Sequence, residues 1–151
     1  MALEHDWKRY PELTNVEMQT MELMSPHKQI KEDFWATVIK VYDGDTVTLE
    51  IPERDFGFKL RFLNINAPEM NEGGERTRDW LRDKILGELV FIKIDPFNRV
   101  GKYGRLLGRI IFRGMDLGEE ELQLGLAKPF GQEREGEPEK AEKVFSMKQW
   151  F

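Results

Sequence analysis

The sequence contains no cysteine and only two histidines, His5 and His27, both near its N-terminus. Disulfides and thiolate metal sites are therefore excluded, so any metal ion must bind to oxygen or imidazole ligands. The small number of histidines and their position also argue against histidine-rich zinc chemistry and against a histidine-based catalytic triad. Oxygen ligands, mainly carboxylates, remain as the candidates for metal binding.

The sequence also lacks any apolar run close to the roughly 18 to 20 residues that a membrane-spanning helix requires. Its first residues, MALEHDWKRYPEL, do not combine a basic segment with a following apolar stretch, which is the pattern of a signal peptide. We therefore expect no membrane association and a cytoplasmic location.

Charge is distributed unevenly along the 151 residues, whose net charge is −5. Residues 57–114 contain 12 lysines and arginines against 7 acidic residues, whereas acidic residues exceed basic ones on both sides of that stretch. A basic, arginine-rich middle in an acidic protein is what a local phosphate-binding face requires. Chance clustering on a solvated surface remains open as the alternative.

The length suits one compact domain, which we place at residues 34–151 after an N-terminal extension over 1–33. A short helix is predicted over 15–24 in the extension, and we expect its methionine-rich face to pack against the protein. Two β-rich runs surround Asp43-Gly44, a strong signal for a tight turn. The further predicted elements are strands at 57–65, 88–95 and 105–113, and helices at 75–86, 116–125 and 138–149.

Three strands, a helix, two strands and a helix is the element order of a five-stranded Greek-key barrel of the OB type. We therefore predict a mainly β fold with α-helices (α+β), containing about three helices. The sequence does not determine the oligomeric state, although a monomer is favoured. Barrels of this type often bind oligonucleotides, but the fold alone does not establish a function.

Three motifs carry the chemistry, and each has a structural alternative. The first is Tyr42-Asp43-Gly44-Asp45-Thr46, which places two carboxylates around a turn. Aspartate is common in turns for a structural reason, because its side chain accepts hydrogen bonds from backbone N–H groups. Arg61 lies within an apolar strand, so it either pairs with an acidic residue of the protein or binds a phosphate at the barrel surface. The glycine-rich segment 100–105 either approaches a phosphate chain or forms an ordinary hairpin loop.

The order and spacing of these motifs resemble the staphylococcal nuclease (thermonuclease) family. The resemblance rests on ATVIKVYDGDTV, on Arg61 followed by Pro68-Glu69, on KYGR at 102–105 and on GLAK at 125–128. It covers roughly residues 34–130, and Trp150 matches a tryptophan near the family's C-terminal end. It implies a calcium-dependent nuclease that hydrolyses phosphodiester bonds of DNA and RNA with low sequence specificity and leaves 3′-phosphate products.

The resemblance also implies a set of metal ligands. Asp45 matches a direct calcium ligand, and the neighbouring Asp43 is expected to support the site. The second family carboxylate is replaced by Asn66 in this sequence. Its amide oxygen can still bind calcium, but the site loses one negative charge, so we expect a lower affinity. The next ligand is the backbone carbonyl of Ala67, and Mg²⁺ or Mn²⁺ remain open as alternatives to Ca²⁺.

Catalytic roles follow from the same resemblance. Arg61 and Arg105 match the two arginines that bind the scissile phosphate and oppose its developing charge, while Glu69 matches the glutamate that orients or deprotonates the attacking water. Lys102 and Tyr103 match residues that contact a neighbouring phosphate. No tyrosine follows GLAK, where the sequence reads Lys128-Pro129-Phe130-Gly131.

Two other functions remain open. Asn66, the acidic net charge and the missing tyrosine are compatible with a catalytically weak or inactive module of the same fold that binds nucleic acid or protein. A purely structural barrel within a larger assembly is the third reading, in which the methionine-rich extension would be the docking element.

Overall fold

A computed structural model of the chain describes residues 5–101 and 104–130. The predicted helix over 138–149 and the residues Lys102 and Tyr103 lie outside this range. Among the described residues, none of the helices is long and apolar enough to cross a membrane.

Five strands form a closed barrel. They are β1 (Phe34–Asp43), β2 (Thr46–Glu50), β3 (Phe58–Phe62), β5 (Leu89–Lys93) and β6 (Leu106–Phe112). Antiparallel pairing joins β3, β2, β1, β5 and β6 in that order, and parallel pairing of β3 with β6 closes the ring. This arrangement confirms the predicted five-stranded OB-type barrel and the α+β class.

Three shorter strands lie outside this ring. The predicted strand over 57–65 is interrupted after β3, and the chain turns before it forms β4 (Ile65–Asn66). This strand pairs with β8 (Lys128–Pro129), while β7 (Met115–Asp116) pairs with the end of β6. The β4–β8 pair brings the chain that follows GLAK next to the chain that follows β3.

Alternating burial along the strands determines which side chains fill the barrel and which face outward. In β3, Phe58, Leu60 and Phe62 are buried, whereas Lys59 and Arg61 are more exposed. In β6, a Cβ atom at Gly108 would lie 3.0 Å from the Lys93 carbonyl oxygen and 3.1 Å from Leu60 Cδ1, which explains why a glycine suits this buried position. The outer face of β3 and β6 is thus available for polar side chains.

Three α-helices lie within the described residues: α1 (Asn15–Met21), α2 (Gly74–Ile85) and α3 (Leu117–Gln123). Helix α2 buries Leu81 and Ile85 against the barrel, and Gly87, with a φ of 82°, follows its C-terminal end. Asp116 caps the N-terminus of α3, because its side chain accepts a hydrogen bond from the backbone N–H of Glu119.

The N-terminal extension differs from the expectation. The predicted helix over 15–24 consists of α1 and a separate 3₁₀ turn at Glu22–Met24, and neither has a buried residue. The predicted packing of its methionine-rich face is therefore only partial: Met18 and Met21 are half-buried, whereas Val16 is 74% exposed and Leu23 is fully exposed. The extension also joins the barrel through buried ion pairs of Glu12 with Arg54 and Arg99.

Candidate active site

The acidic turn between β1 and β2 packs closely against two other parts of the fold. A Cβ atom at Gly44 would lie 2.4 Å from Thr77 Cγ2 on helix α2 and 2.7 Å from the Cβ of Ala67. Only glycine allows the turn to approach both. The Asp43 side chain accepts a hydrogen bond from the Asp45 backbone N–H over 3.0 Å, so this aspartate does have the structural turn role that its residue type suggested.

Asp45 connects three segments of the site through its buried carboxylate. Its Oδ1 accepts a hydrogen bond from the Thr46 hydroxyl over 3.0 Å. Its Oδ2 accepts one from the backbone N–H of Ala67 over 2.9 Å and lies 3.5 Å from Nη2 of Arg61. The carboxylate is thus fixed in place relative to β3 and to the end of β4.

The Arg61 guanidinium is held on the outer side of the barrel. Its Nη1 donates to the carbonyl oxygens of Phe62 over 2.6 Å and of Ile65 over 3.0 Å. Its Cζ also lies 5.3 Å from the centre of the Phe130 ring, close enough for a cation–π contact. The structure therefore combines the two alternatives for this arginine, because it pairs with Asp45 and still lies near the barrel surface.

Phe130 is a site residue that the sequence did not reveal. The sequence shows only that no tyrosine follows GLAK. The backbone N–H of Phe130 donates to the Asn64 carbonyl over 3.2 Å, which continues the β4–β8 pairing and brings the aromatic ring to Arg61. An aromatic residue thus covers this arginine, but it has no hydroxyl group.

Glu69 lies in an exposed segment whose backbone is firmly held. Its carbonyl oxygen accepts hydrogen bonds from the N–H groups of Glu72 over 2.8 Å and Gly74 over 2.9 Å. A Cβ atom at Gly74 would lie 2.4 Å from the Pro68 carbonyl oxygen, so the start of helix α2 is in close contact with this segment. Glu69 is only two residues from Ala67, which binds Asp45, and its side chain is open to solvent.

Arg105 immediately precedes β6 and belongs to the outer face of the barrel. Leu107 is in register with Arg61 across the parallel β3–β6 pair. Because side chains alternate along a strand, Arg105 falls on the same face as Leu107 and Arg61. Its neighbour Gly104 has a φ of 71°, and a Cβ there would lie 2.9 Å from Cδ1 of Tyr10 in the extension. The extension therefore contacts the chain next to Arg105.

The two aspartates of the turn and a buried glutamate influence one another's pKa values. Burial raises the pKa of Asp43 to about 6, and the adjacent Asp45 carboxylate raises it further. Glu121 on α3 is fully buried, and neither carboxyl oxygen has a hydrogen-bond partner. Burial, followed by the charges of Asp45 and Asp43, raises the pKa of Glu121 to about 9, so this group is neutral at pH 7.

Oxygen atoms near this region could hold a cation, although acidic residues alone do not form a complete site. No group of three or more histidine, aspartate and glutamate residues in the described ranges is arranged to hold a metal ion. The candidate donors are two carboxylates, an amide oxygen and a backbone carbonyl, from Asp43, Asp45, Asn66 and Ala67. Asn66 lies half-buried at the end of β4, next to the Ala67 N–H that binds Asp45.

The geometry defines an OB-type barrel whose outer face presents arginines beside an acidic turn. The family model described as "staphylococcal nuclease homologue" matches residues 59–149, which is more than half of the chain. The protein belongs to this family. The match begins within β3, so the acidic turn lies outside the matched residues. No curated protein matches the sequence.

Proposed function

We propose that this protein is a calcium-dependent nuclease that hydrolyses phosphodiester bonds of DNA and RNA with low sequence specificity. The observation that carries this proposal is the contact between Asp45 and Arg61, with the Ala67 N–H on the same carboxylate. It joins a candidate metal ligand directly to a candidate phosphate-binding arginine. Membership of the staphylococcal nuclease family supports the same chemistry.

The proposed ligands suit a hard cation. Calcium prefers carboxylate, amide and carbonyl oxygens, which are the atoms that Asp45, Asn66 and Ala67 can offer, with Asp43 in support. The raised pKa of Asp43 reflects burial and the neighbouring negative charge, both of which a bound cation would compensate. When bound, calcium would supply positive charge to polarise the phosphate, and Mg²⁺ or Mn²⁺ could do the same.

Side chains of the protein would carry the remaining steps. Arg61 and Arg105 share the outer face of β3 and β6, so both can donate to phosphate oxygens and oppose the charge that develops in the transition state. The solvent-exposed Glu69 carboxylate would accept a proton from the attacking water or orient that water. Lys102 and Tyr103 would contact the adjacent phosphate.

The proposal is tested by cleavage of single-stranded DNA in calcium and in EDTA. We expect activity only with the metal, and a loss of roughly 10²-fold or more for Glu69→Gln and for Arg105→Ala. Glu53→Gln and Arg82→Ala are matched controls, because Glu53 is exposed and Arg82 forms an exposed ion pair with Asp79. If the folded wild-type protein cleaves no DNA with Ca²⁺, Mg²⁺ or Mn²⁺, the proposed nuclease activity is excluded.

A second candidate function is a nucleic-acid-binding module without catalysis. Asn66 favours it, because a neutral amide at a ligand position lowers the affinity for a cation. Such a module would bind single-stranded nucleic acid weakly, with an affinity that falls steeply as salt increases, and would leave the strand intact. Measuring binding and cleavage on the same oligonucleotide separates the two functions.

A further inference from the structure

An exposed aromatic side chain lies beside the acidic turn, with two lysines close to its ring. Tyr42 immediately precedes Asp43 and is 54% exposed. The Nζ atom of Lys59 lies 4.5 Å from the centre of the Tyr42 ring, and that of Lys40 lies 5.8 Å from it. None of these three residues belongs to the candidate site derived from the family resemblance.

The strand registers explain why these residues meet. Lys40 on β1 is opposite Thr48 on β2, and Thr48 is opposite Lys59 on β3. The two lysines therefore occupy one row across three strands on the outer face, and Tyr42 reaches across this row. The closed barrel fixes their spacing, because all three strands are hydrogen-bonded to their neighbours.

This row continues directly to the candidate phosphate-binding arginine. Lys59 and Arg61 are two residues apart on β3 and point to the same face, so their Cα atoms are separated by roughly 7 Å. Arg61 contacts Asp45, which places the tyrosine and lysines at one side of the proposed scission point. A strand of nucleic acid held by Arg61 would pass over this surface if it followed the direction of β3.

We propose that Tyr42, Lys40 and Lys59 form a binding subsite for single-stranded nucleic acid, which deepens the proposed nuclease function. One unpaired base stacks on the exposed tyrosine ring, and the two lysines bind phosphates next to the one held by Arg61. Sequence-tolerant binding of single strands commonly combines aromatic stacking with a basic groove. A base-paired duplex offers no free base face to the ring, so single strands bind better.

The test measures binding of a fluorescein-labelled oligothymidylate of about a dozen nucleotides by fluorescence anisotropy. EDTA prevents cleavage, and low salt strengthens the contacts with phosphate. The variants are Tyr42→Ala, Tyr42→Phe and the double substitution Lys40→Gln with Lys59→Gln. Trp35→Ala is the aromatic control, because Trp35 is 59% exposed on the same strand but packs on Phe91. Lys28→Gln, at an exposed position of the extension, is the lysine control.

We expect Tyr42→Ala to weaken binding by roughly 5- to 150-fold, because one stacked base is lost. Tyr42→Phe should bind within about twofold of wild type, since the ring remains. The double lysine variant should reduce the slope of log K against log salt by about 1.4, which corresponds to two phosphate contacts on a single strand. Both controls should bind as wild type does.

The proposed subsite would be overturned if Tyr42→Ala bound the oligonucleotide as tightly as the wild type does, or if Trp35→Ala lost as much affinity as Tyr42→Ala. The cleavage assay distinguishes this failure from a failure of the proposed function. A chain that cuts DNA with unchanged KM in Tyr42→Ala is a nuclease without this subsite. A chain that never cuts but depends on Tyr42 for binding has the subsite without the nuclease activity.

Discussion

Replacing Glu12 with glutamine should strongly destabilise the protein, although this residue lies far in sequence from the barrel strands. The Glu12 side chain is fully buried and forms ion pairs with Arg54 and with Nη2 of Arg99, the latter over 3.1 Å. Its Oε1 also accepts the backbone N–H of Ile30 over 2.7 Å. One carboxylate therefore balances two buried guanidinium groups.

The size of the effect follows from what the substitution leaves behind. Glutamine can still accept a hydrogen bond, but Arg54 and Arg99 then lose the carboxylate that contacts both of them. Burial already lowers the pKa of Arg99, the Glu12 charge opposes that shift most strongly, and only the weaker influence of the Glu22 charge would remain. Removing one partner of a buried ion pair costs about 3–5 kcal/mol. For a chain of this size, that loss corresponds to a decrease in Tm of roughly 6–20 °C.

Urea and thermal unfolding, followed by circular dichroism, measure this loss. The matched control is Glu22→Gln, which removes a carboxylate from the same extension. Glu22 forms an ion pair of 2.5 Å with Lys31, but both side chains are at least 40% exposed. Such exposed pairs contribute about 0–1 kcal/mol. Equal effects of the two substitutions would refute the view that the extension is anchored by Glu12.

Three further predictions concern the candidate site. Asn66→Asp should strengthen calcium binding, measured by isothermal titration calorimetry, because the site regains a negative charge; unchanged affinity would remove Asn66 from the ligand set. Glu121→Leu should stabilise the protein in EDTA by up to about 4 kcal/mol more at pH 8 than at pH 5. Folding raises the pKa of Glu121 from 4.5 to about 9. The buried carboxyl of the wild-type protein is therefore neutral without penalty below pH 4.5, and the wild-type protein loses stability relative to the variant as the pH rises toward 9. A pH-independent difference between the two proteins would contradict that shift. Gly44→Ala should lower the free energy of unfolding in urea by about 1–3 kcal/mol, because its Cβ would lie 2.4 Å from Thr77 Cγ2. Adding Thr77→Ser should recover part of that loss. Full stability of Gly44→Ala would show that the turn can move away from α2.

Local patterns in the sequence were sufficient to predict the barrel. The β-rich runs, the Asp43-Gly44 turn and the helix predicted over 75–86 depend on interactions between residues close in the chain, so they can be read without knowing the fold. The motifs around Asp45, Arg61 and Arg105 were recognisable for the same reason. Their order and spacing along the chain carry the family resemblance.

The contacts between distant segments were not predictable in this way. Glu121 follows two other glutamates in GEEELQ, and nothing in that sequence distinguishes the buried carboxyl from its neighbours. The buried role of Glu12 depends on Arg54 and Arg99, which are 42 and 87 residues away. Helix α1, which has no fully buried residue, shows the same limit, because periodicity predicts an apolar face but not how far another surface covers it.

The sequence by itself therefore determined the class of the fold, the sequence order of its elements and the residue types of the candidate site. Only the tertiary structure decided which side chains meet: Asp45 with Arg61 and Ala67, Phe130 with Arg61, and Tyr42 with two lysines. The physical reason is that propensity, capping and alternation act over a few residues. Pairing of charges and rings across a closed barrel depends instead on strand register, which is fixed only when the whole sheet assembles.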